Sequence, residues 1–342
     1  MSILSDYKII KELGHGMIGT VFLISTQSNS KSNSKIKSNS KTKYALKIEH
    51  IEKRDLKPNP KSSVWREINF CKKVASKYPD QFVQLIEYNL INGCTHTQTY
   101  SFDIKLFPKS VQNKLNKLAS SEYCVRKVFD LVDGDLHQII NKLSTKQIYS
   151  MVIQVTWAIY LTHLNHYTHG DLHDRNIGWV KTSPNKRIEI NKLSVPTFGY
   201  NFKLIDYGLV VGKTDIVTKL DEKNFNLNLS SELNLIVYML VDTKFFEYLN
   251  SNNIDFNFKK VYSQFKKTTW YKLINKISSE EQIQLFLFDI MFPEQFQRMV
   301  MGERFKKTIP RKLYVPFDDI VFIVENYSKP KKIIKYFYSK IK

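Results

Sequence analysis

Residues 25–43 are mostly Ser, Asn and Lys. Such a stretch has almost no apolar surface and cannot bury a core. Short apolar, strand-like segments flank it, residues 20–24 before and 44–48 after. Any core must therefore form around a flexible insertion. The simplest arrangement is two antiparallel strands joined by an overgrown loop. Closure entropy grows only logarithmically with loop length, so the insertion is tolerable.

The rest of the chain sets the architecture. Residues 62–76 carry Val64, Ile68, Cys71, Val74 and Ala75 at helical spacing, with Ser62 or Ser63 to cap the start. Residues 82–88 and 123–132 read as strands. Thr145–Leu164 is a strong helix whose apolar face includes Ile148, Val152, Val155 and Ile159. A hairpin-like stretch turning at residues 181–186 follows, then a strand, 202–205, that ends at Asp206. From Ser230 the pattern is mostly helical, closing in a Lys-rich tail, 329–342. Strands first, one helix among them, then mostly helices predict an α+β fold in two parts, 1–132 and 133–342.

Charge and cysteine usage bound the partners. The formal net charge of +20 over 342 residues favours polyanions, whether nucleic acid, acidic proteins or an anionic membrane surface. A solvated, Lys-heavy surface accounts for it equally well. Cys71, Cys94 and Cys124 are odd in number, far apart and free of any C-x-x-C pair. That argues against a disulfide framework and a zinc site, and suits a reducing compartment. No apolar run approaches the ~18 residues of a membrane span, and the N-terminus lacks signal-peptide character. The expected location is intracellular and cytoplasmic.

Three segments carry chemistry. Gly14-His15-Gly16-Met17-Ile18-Gly19-Thr20-Val21 has the spacing G-x-G-x-x-G-x-V. Its glycines allow a tight turn and let main-chain N–H groups approach phosphate. The apolar run after Thr20 reads as strand, so these glycines bridge strand to strand and do not open a dinucleotide-binding helix. Lys47 lies within the apolar strand Tyr44-Ala45-Leu46-Lys47-Ile48, with Glu67 on the next helix as a candidate carboxylate to orient it. His169-Gly170-Asp171-Leu172-His173-Asp174-Arg175-Asn176 follows the long helix, and Asp206-Tyr207-Gly208 follows a strand. Asp171 can accept or orient a hydroxyl proton. Asn176 and Asp206 supply hard oxygens suited to Mg²⁺. His163, His166, His169 and His173 lack the partners of a zinc site.

In this order the segments resemble the eukaryotic-type protein kinases, whose signatures include a Gly-rich loop, H-R-D-L-x-x-x-N and D-F-G. The resemblance spans about Tyr7 to Leu209. It implies a two-lobed fold with ATP in the cleft: Gly14, Gly16 and Gly19 over the phosphates, Lys47 on the phosphates and paired with Glu67, and Asp171 as base or hydroxyl-orienting group. Asn176 and Asp206 would hold Mg²⁺. Val21 and Ala45 would sandwich adenine, with the hinge at residues 129–132, including Asp130 and Val132. His163 and His169 match family histidines. Departures are equally informative. Gly170 stands where the family has arginine, so activation by activation-loop phosphorylation is not expected. His173 replaces a lysine, as in haspin-like kinases, and A-P-E is missing. Glu232 or Asn234 stands in for the aspartate of the helix that follows. Val195-Pro196-Thr197-Phe198-Gly199-Tyr200 resembles an insert of kinases from large, mimivirus-like DNA viruses, which would place the protein in a host cell or virion.

The resemblance implies transfer of the ATP γ-phosphate to Ser/Thr hydroxyls of a protein substrate, an acidic one being one use of the positive charge. Two other readings stand beside it. One is a nucleotide-binding pseudokinase scaffold. The other is a small-molecule phosphotransferase, because His-Gly-Asp-Leu-His also resembles the aminoglycoside and choline kinase loop. The tail, with Tyr336, Phe337 and Tyr338 among its lysines, either binds nucleic acid or an anionic surface, or folds as an amphipathic helix packed on the helical part.

Overall fold

The computed structural model describes residues 7–15, 19–26, 42–96, 105, 109–217, 219–233, 235–240, 314–316, 319, 322–323, 326 and 328–342. Its first half is a five-stranded antiparallel sheet of β1 (Tyr7–His15), β2 (Gly19–Thr26), β3 (Lys43–Ile51), β4 (Leu85–Asn92) and β5 (Tyr123–Asp130), in the order β1-β2-β3-β5-β4. Strands β2 and β3 pair to their ends, Ser25 opposite Lys43, and Thr26 N donates to Thr42 O. The Ser/Asn/Lys stretch thus leaves and re-enters the sheet at one point, as an overgrown hairpin loop must. Helix α1 (Ser63–Lys73) covers one sheet face, and α2 (Lys109–Ala119) precedes β5.

Alternation along the strands creates two cores. Ile24, Leu46, Ile48, Cys124 and Val128 pack on one face. Ile51 and Val125 meet Val64, Trp65 and Ile68 of α1 on the other. Ser62 occupies the N-cap of α1 but makes no side-chain capping bond. Trp65 anchors the helix instead, its Nε1–H donating to Asp55 O at 2.8 Å.

The second half centres on α4 (Thr145–Leu164), preceded by β6 (Gly134–Asp135) and the single turn α3 (Leu136–Ile139). A capping box starts α4: Gln147 N donates to Ser144 Oγ, and Ser144 N to Gln147 Oε1. The helix is buried almost all round, with Met151, Val152, Ile153, Val155 and Ile159 within 1 % of full burial. That is the signature of a core helix. Short strands β7 (Tyr167–Thr168), β8 (Ile177–Lys181), β9 (Arg187–Ile190), β10 (Leu193–Pro196), β11 (Tyr200–Leu204) and β12 (Val211–Gly212) follow, then α5 (Lys219–Ser231), α6 (Leu235–Leu240) and the C-terminal α7 (Pro330–Ile341). Helix α7 buries Ile333, Ile334, Phe337 and Ile341 and packs against α4. Tyr149 and Tyr336 donate hydroxyls to buried Asp319, which also pairs with Lys340. Phe337 is therefore committed to the core and unavailable to stack on bases. The two halves meet where Phe82 bridges Leu204, with Val83 N donating to Leu204 O.

Three sequence expectations need correction. The strand expected at 82–88 begins at Leu85, because Phe82 and Val83 are engaged with Leu204. No hairpin turns at 181–186. Strand β8 pairs with β11 and β6, while β9 pairs with β10 through Asn191 and Lys192, both left-handed (φ 49° and 65°), as a two-residue hairpin turn requires. Third, Cys94 and Cys124 form a disulfide. Gly93 (φ 79°) turns the chain back at the end of β4, bringing the two Cα atoms to 5.6 Å across a 30-residue separation that spacing could not reveal. The cysteine argument for a reducing compartment falls with it. Among the described residues no helix is long and apolar enough to cross a membrane.

Thiol titration of the denatured protein tests the pairing. With Cys71 the one free cysteine, one thiol should react before reduction and all 3 cysteines after it. Full reactivity without reductant refutes the bond.

Candidate functional site

The inner face of the sheet presents Ala45, Lys47 and Glu49 from β3. Leu23, Val21 and Gly19 stand opposite them on β2, and Phe129, Lys127 and Val125 on β5. Two lysines thus lie directly opposite one another, an arrangement that repels unless carboxylates intervene. Glu49 and Glu67 of α1 do so. Lys127 Nζ contacts Glu49 Oε2 and Glu67 Oε2. Lys47 Nζ lies 2.9 Å from Glu49 Oε1, 3.4 Å from Glu67 Oε1 and 2.8 Å from Asp206 Oδ1. Gly19 admits this packing, since a Cβ there would fall 2.5 Å from Glu49 Cγ.

The charges hold one another. Burial alone would pull the Lys47 ammonium down, but Asp206, Glu49 and Glu67 together raise it well above the ordinary lysine value. Asp206 is pushed far below the carboxylate range, chiefly by Lys47. Burial raises Glu49 as well, yet Lys127 and Lys47 reverse this and hold it low. At Glu67 burial prevails over the same two lysines, with Glu49 and Asp206 reinforcing it, and the carboxyl is raised.

Asp206 has φ +54°, a left-handed conformation that aspartate tolerates better than most residues. The following Tyr207 drives its ring into the core against Phe70 (4.8 Å) and donates its hydroxyl to Leu204 O at 2.6 Å. That anchor holds the carboxylate at the mouth of the charge cluster.

The loop of Asp171 is organised by three contacts. Asn176 Nδ2 donates to Asp171 O (2.7 Å) and Oδ2 (3.1 Å). Ile205 N donates to Asn176 O, and the buried His169 places Nε2 3.0 Å from Ile205 O. The loop is thus fastened to the residue just before Asp206. Glu232, past the end of α5, closes it from beneath: Oε1 accepts from Gly170 N at 2.8 Å, and Oε2 meets His163 Nε2 at 2.8 Å. Of the two residues considered for this place, Glu232 makes these contacts, while Asn234 lies outside the described residues. Gly170 has a structural reason to be glycine. Its φ is +79°, and a Cβ would lie 2.4 Å from Leu209 O.

The predicted residues fall into two groups. Lys47, Glu67 and Asp206 meet directly, and Asp171 and Asn176 are tied to the same strand end. Val21 and Ala45 share their sheet face, and Ala45, Val132 and Ile205 each pack against the main core. Gly14 lies in β1 opposite Val21, while Gly16 lies outside the described residues. Asp130 stands apart. Its register beside Tyr44 puts it on the face opposite Ala45, and its N–H is spent on Gln84 O.

An Mg²⁺ ion fits the chemistry of this donor set. Asp206 is held ionised, and Asn176 has its amide N–H groups turned to Asp171. Mg²⁺ takes few protein oxygens and keeps waters, so it needs no dense cluster. Among the described residues there is no group of three or more His, Cys, Asp or Glu able to hold a metal. His163 and His169 point to the separate partners named above, and His173 Nε2 lies 3.8 Å from Asp171 Oδ2.

Sequence reasoning missed Glu49 and Lys127. Period-two alternation from Ala45 through Lys47 could have placed Glu49 on the same face. Lys127 required the β3–β5 register, which only the fold supplies. No protein-family model matches the sequence, and no curated protein matches it.

Two expectations follow from the geometry. Gly170→Ala should destabilise the protein by about 1–3 kcal/mol through backbone strain, and Gly170→Arg by at least as much, read from urea midpoints. An unchanged midpoint for both would show that the loop yields freely. Second, the depressed Asp206 carboxyl stabilises the fold fully above its ordinary value of 3.8, and this is lost as pH falls through the lower folded value. The melting-temperature gap between wild type and Asp206→Asn should hold steady above pH 3.8 and shrink below it. A gap independent of pH contradicts the pairing with Lys47.

Proposed function

We propose that this chain is an ATP- and Mg²⁺-dependent protein kinase acting on Ser/Thr hydroxyls, on a two-lobed kinase-like fold. The observation that carries the reading is the convergence of Lys47, Glu67 and Asp206, with the Asp171/Asn176 loop fastened through Ile205 beside it. Four segments far apart in sequence bring the residue types of phosphoryl transfer to one place, in the order that family uses.

Phosphoryl transfer asks little covalent chemistry of a protein and much positioning and charge neutralisation. Lys47 would give its ammonium to the nucleotide phosphates, and the backbone around Gly14, Gly16 and Gly19 would cover them. Val21 and Ala45 would flank the adenine, with Val132 at the edge. Any contact from Asp130 would come from its backbone carbonyl. Asp206 and Asn176 would hold Mg²⁺, whose charge offsets that of the phosphate oxygens. Asp171 would align the acceptor hydroxyl. As the bond from the γ-phosphorus to the ADP oxygen breaks, the hydroxyl oxygen forms the new P–O bond, its proton passes to Asp171, and ADP departs. Glu232 would set the height of Asp171 by fixing Gly170 N, without help from a phosphorylated segment.

Two features favour other uses of the site. Gly170 in place of arginine and the missing A-P-E suit a scaffold that binds nucleotide without turnover. His-Gly-Asp-Leu-His suits transfer to a small amine or alcohol. One assay separates the three: transfer of labelled γ-phosphate to casein, histone and myelin basic protein, beside a panel of aminoglycosides and aminoalcohols. Asp171→Asn and Lys47→Ala should each lower protein phosphorylation by roughly 10²–10⁴-fold. Transfer to small molecules alone, or nucleotide binding without transfer, would replace the protein-kinase reading.

A further inference from the structure

We propose that Lys127 is a positioning residue of this site, holding Glu49 and Glu67 so that Lys47 is free to exchange Asp206 for nucleotide phosphate. The inference rests on the kinase reading and extends it to residues outside the kinase motifs.

The four groups form a ring, three of them buried and Lys47 partly exposed. Each carboxylate turns one oxygen to Lys127 and the other toward Lys47. The two lysines are held unequally. Lys127 is fully buried and contacts both carboxylates closely. Lys47 reaches Glu67 at 3.4 Å and pairs with Glu49 Oε1 at 2.9 Å. Its short hydrogen bond is the one to Asp206, at the exposed edge. Lys127 is thus fixed in the interior, whereas Lys47 also extends to Asp206 at the mouth.

Charge balance says what this accomplishes. Two ammonium groups and two carboxylates make the ring neutral, and Asp206 adds one negative charge at its rim. Without Lys127, three carboxylates would crowd one ammonium. Buried carboxylates must be paired, so Lys47 would be drawn inward to Glu49 and Glu67, and uncompensated negative charge would face the incoming phosphates. A purely structural lysine needs only to satisfy its own partners. Lys127 also governs how much of Lys47 remains for a ligand.

The test compares Lys127→Met, Glu49→Gln and the double variant in the full chain. Readouts are Mg·ATP affinity by titration, and kcat and KM for ATP, below each variant's measured melting temperature. Lys127→Met leaves two excess negative charges and should raise KM and Kd for ATP by ~10-fold or more, with a smaller effect on kcat. Lys127→Met/Glu49→Gln returns the cluster to the wild-type net charge and should recover wild-type affinity to within about threefold. Glu49→Gln alone is the reference that separates loss of the carboxylate from loss of Lys127 in the double variant. If Lys127→Met does not fold, recovery by the double variant alone carries the proposal. A folded Lys127→Met with wild-type KM, or a folded double variant that stays weak, overturns it. Wild-type protein that binds no Mg·ATP overturns the kinase reading, and this inference with it. Wild-type binding retained by Lys127→Met overturns this inference alone.

Discussion

Everything at the candidate site depends on Glu67 being held in the sheet interior between two lysines. That contact is what joins α1 to the sheet electrostatically, over and above the apolar packing of Val64, Trp65 and Ile68. A buried carboxylate without partners is costly, so the helix cannot slide or rotate without breaking the pairing. The position of α1 fixes Phe70, which supports the ring of Tyr207. Tyr207 in turn seats Asp206 at the mouth. One pairing inside the sheet therefore sets the place of a carboxylate 139 positions further along the chain.

The second half solves a different problem. Its loop must present Asp171 to solvent while its backbone stays ordered. Half-exposed Asp171 is flanked by buried anchors, His169 on one side and Asn176 on the other. Glu232 supplies the remaining restraint by bridging the backbone of Gly170 and the end of α4. The left-handed glycine is a consequence, since the chain must turn within touch of the Leu209 carbonyl.

Local signals were readable in the sequence where a residue's neighbours along the chain decide its state. The α4 helix had a broad apolar pattern, and its bounds are those expected. The hairpin flanking the Ser/Asn/Lys stretch was legible because that stretch could not be core. What stayed hidden depends on register and pairing between distant segments. Lys127 looks like any strand lysine until β5 is set against β3. Cys94 and Cys124 look unpaired until Gly93 turns the chain. The β8–β11 pairing was masked by a nearer candidate, the stretch 181–186, whose polar residues imitate a hairpin turn. Helix α2 was passed over altogether.

The docking of α7 on α4 sets an order of events during synthesis. Helix α4 is apolar nearly all round, and one of its flanks is covered by residues that begin at Pro330. Roughly 165 residues separate the two helices. At ~5–20 residues per second, that flank is uncovered for on the order of 10–30 s after α4 leaves the ribosome. The sheet half has all its strands by Asp130 and can close early. The helical half has to wait, and this flank of its central helix stays open to chaperones in the interval.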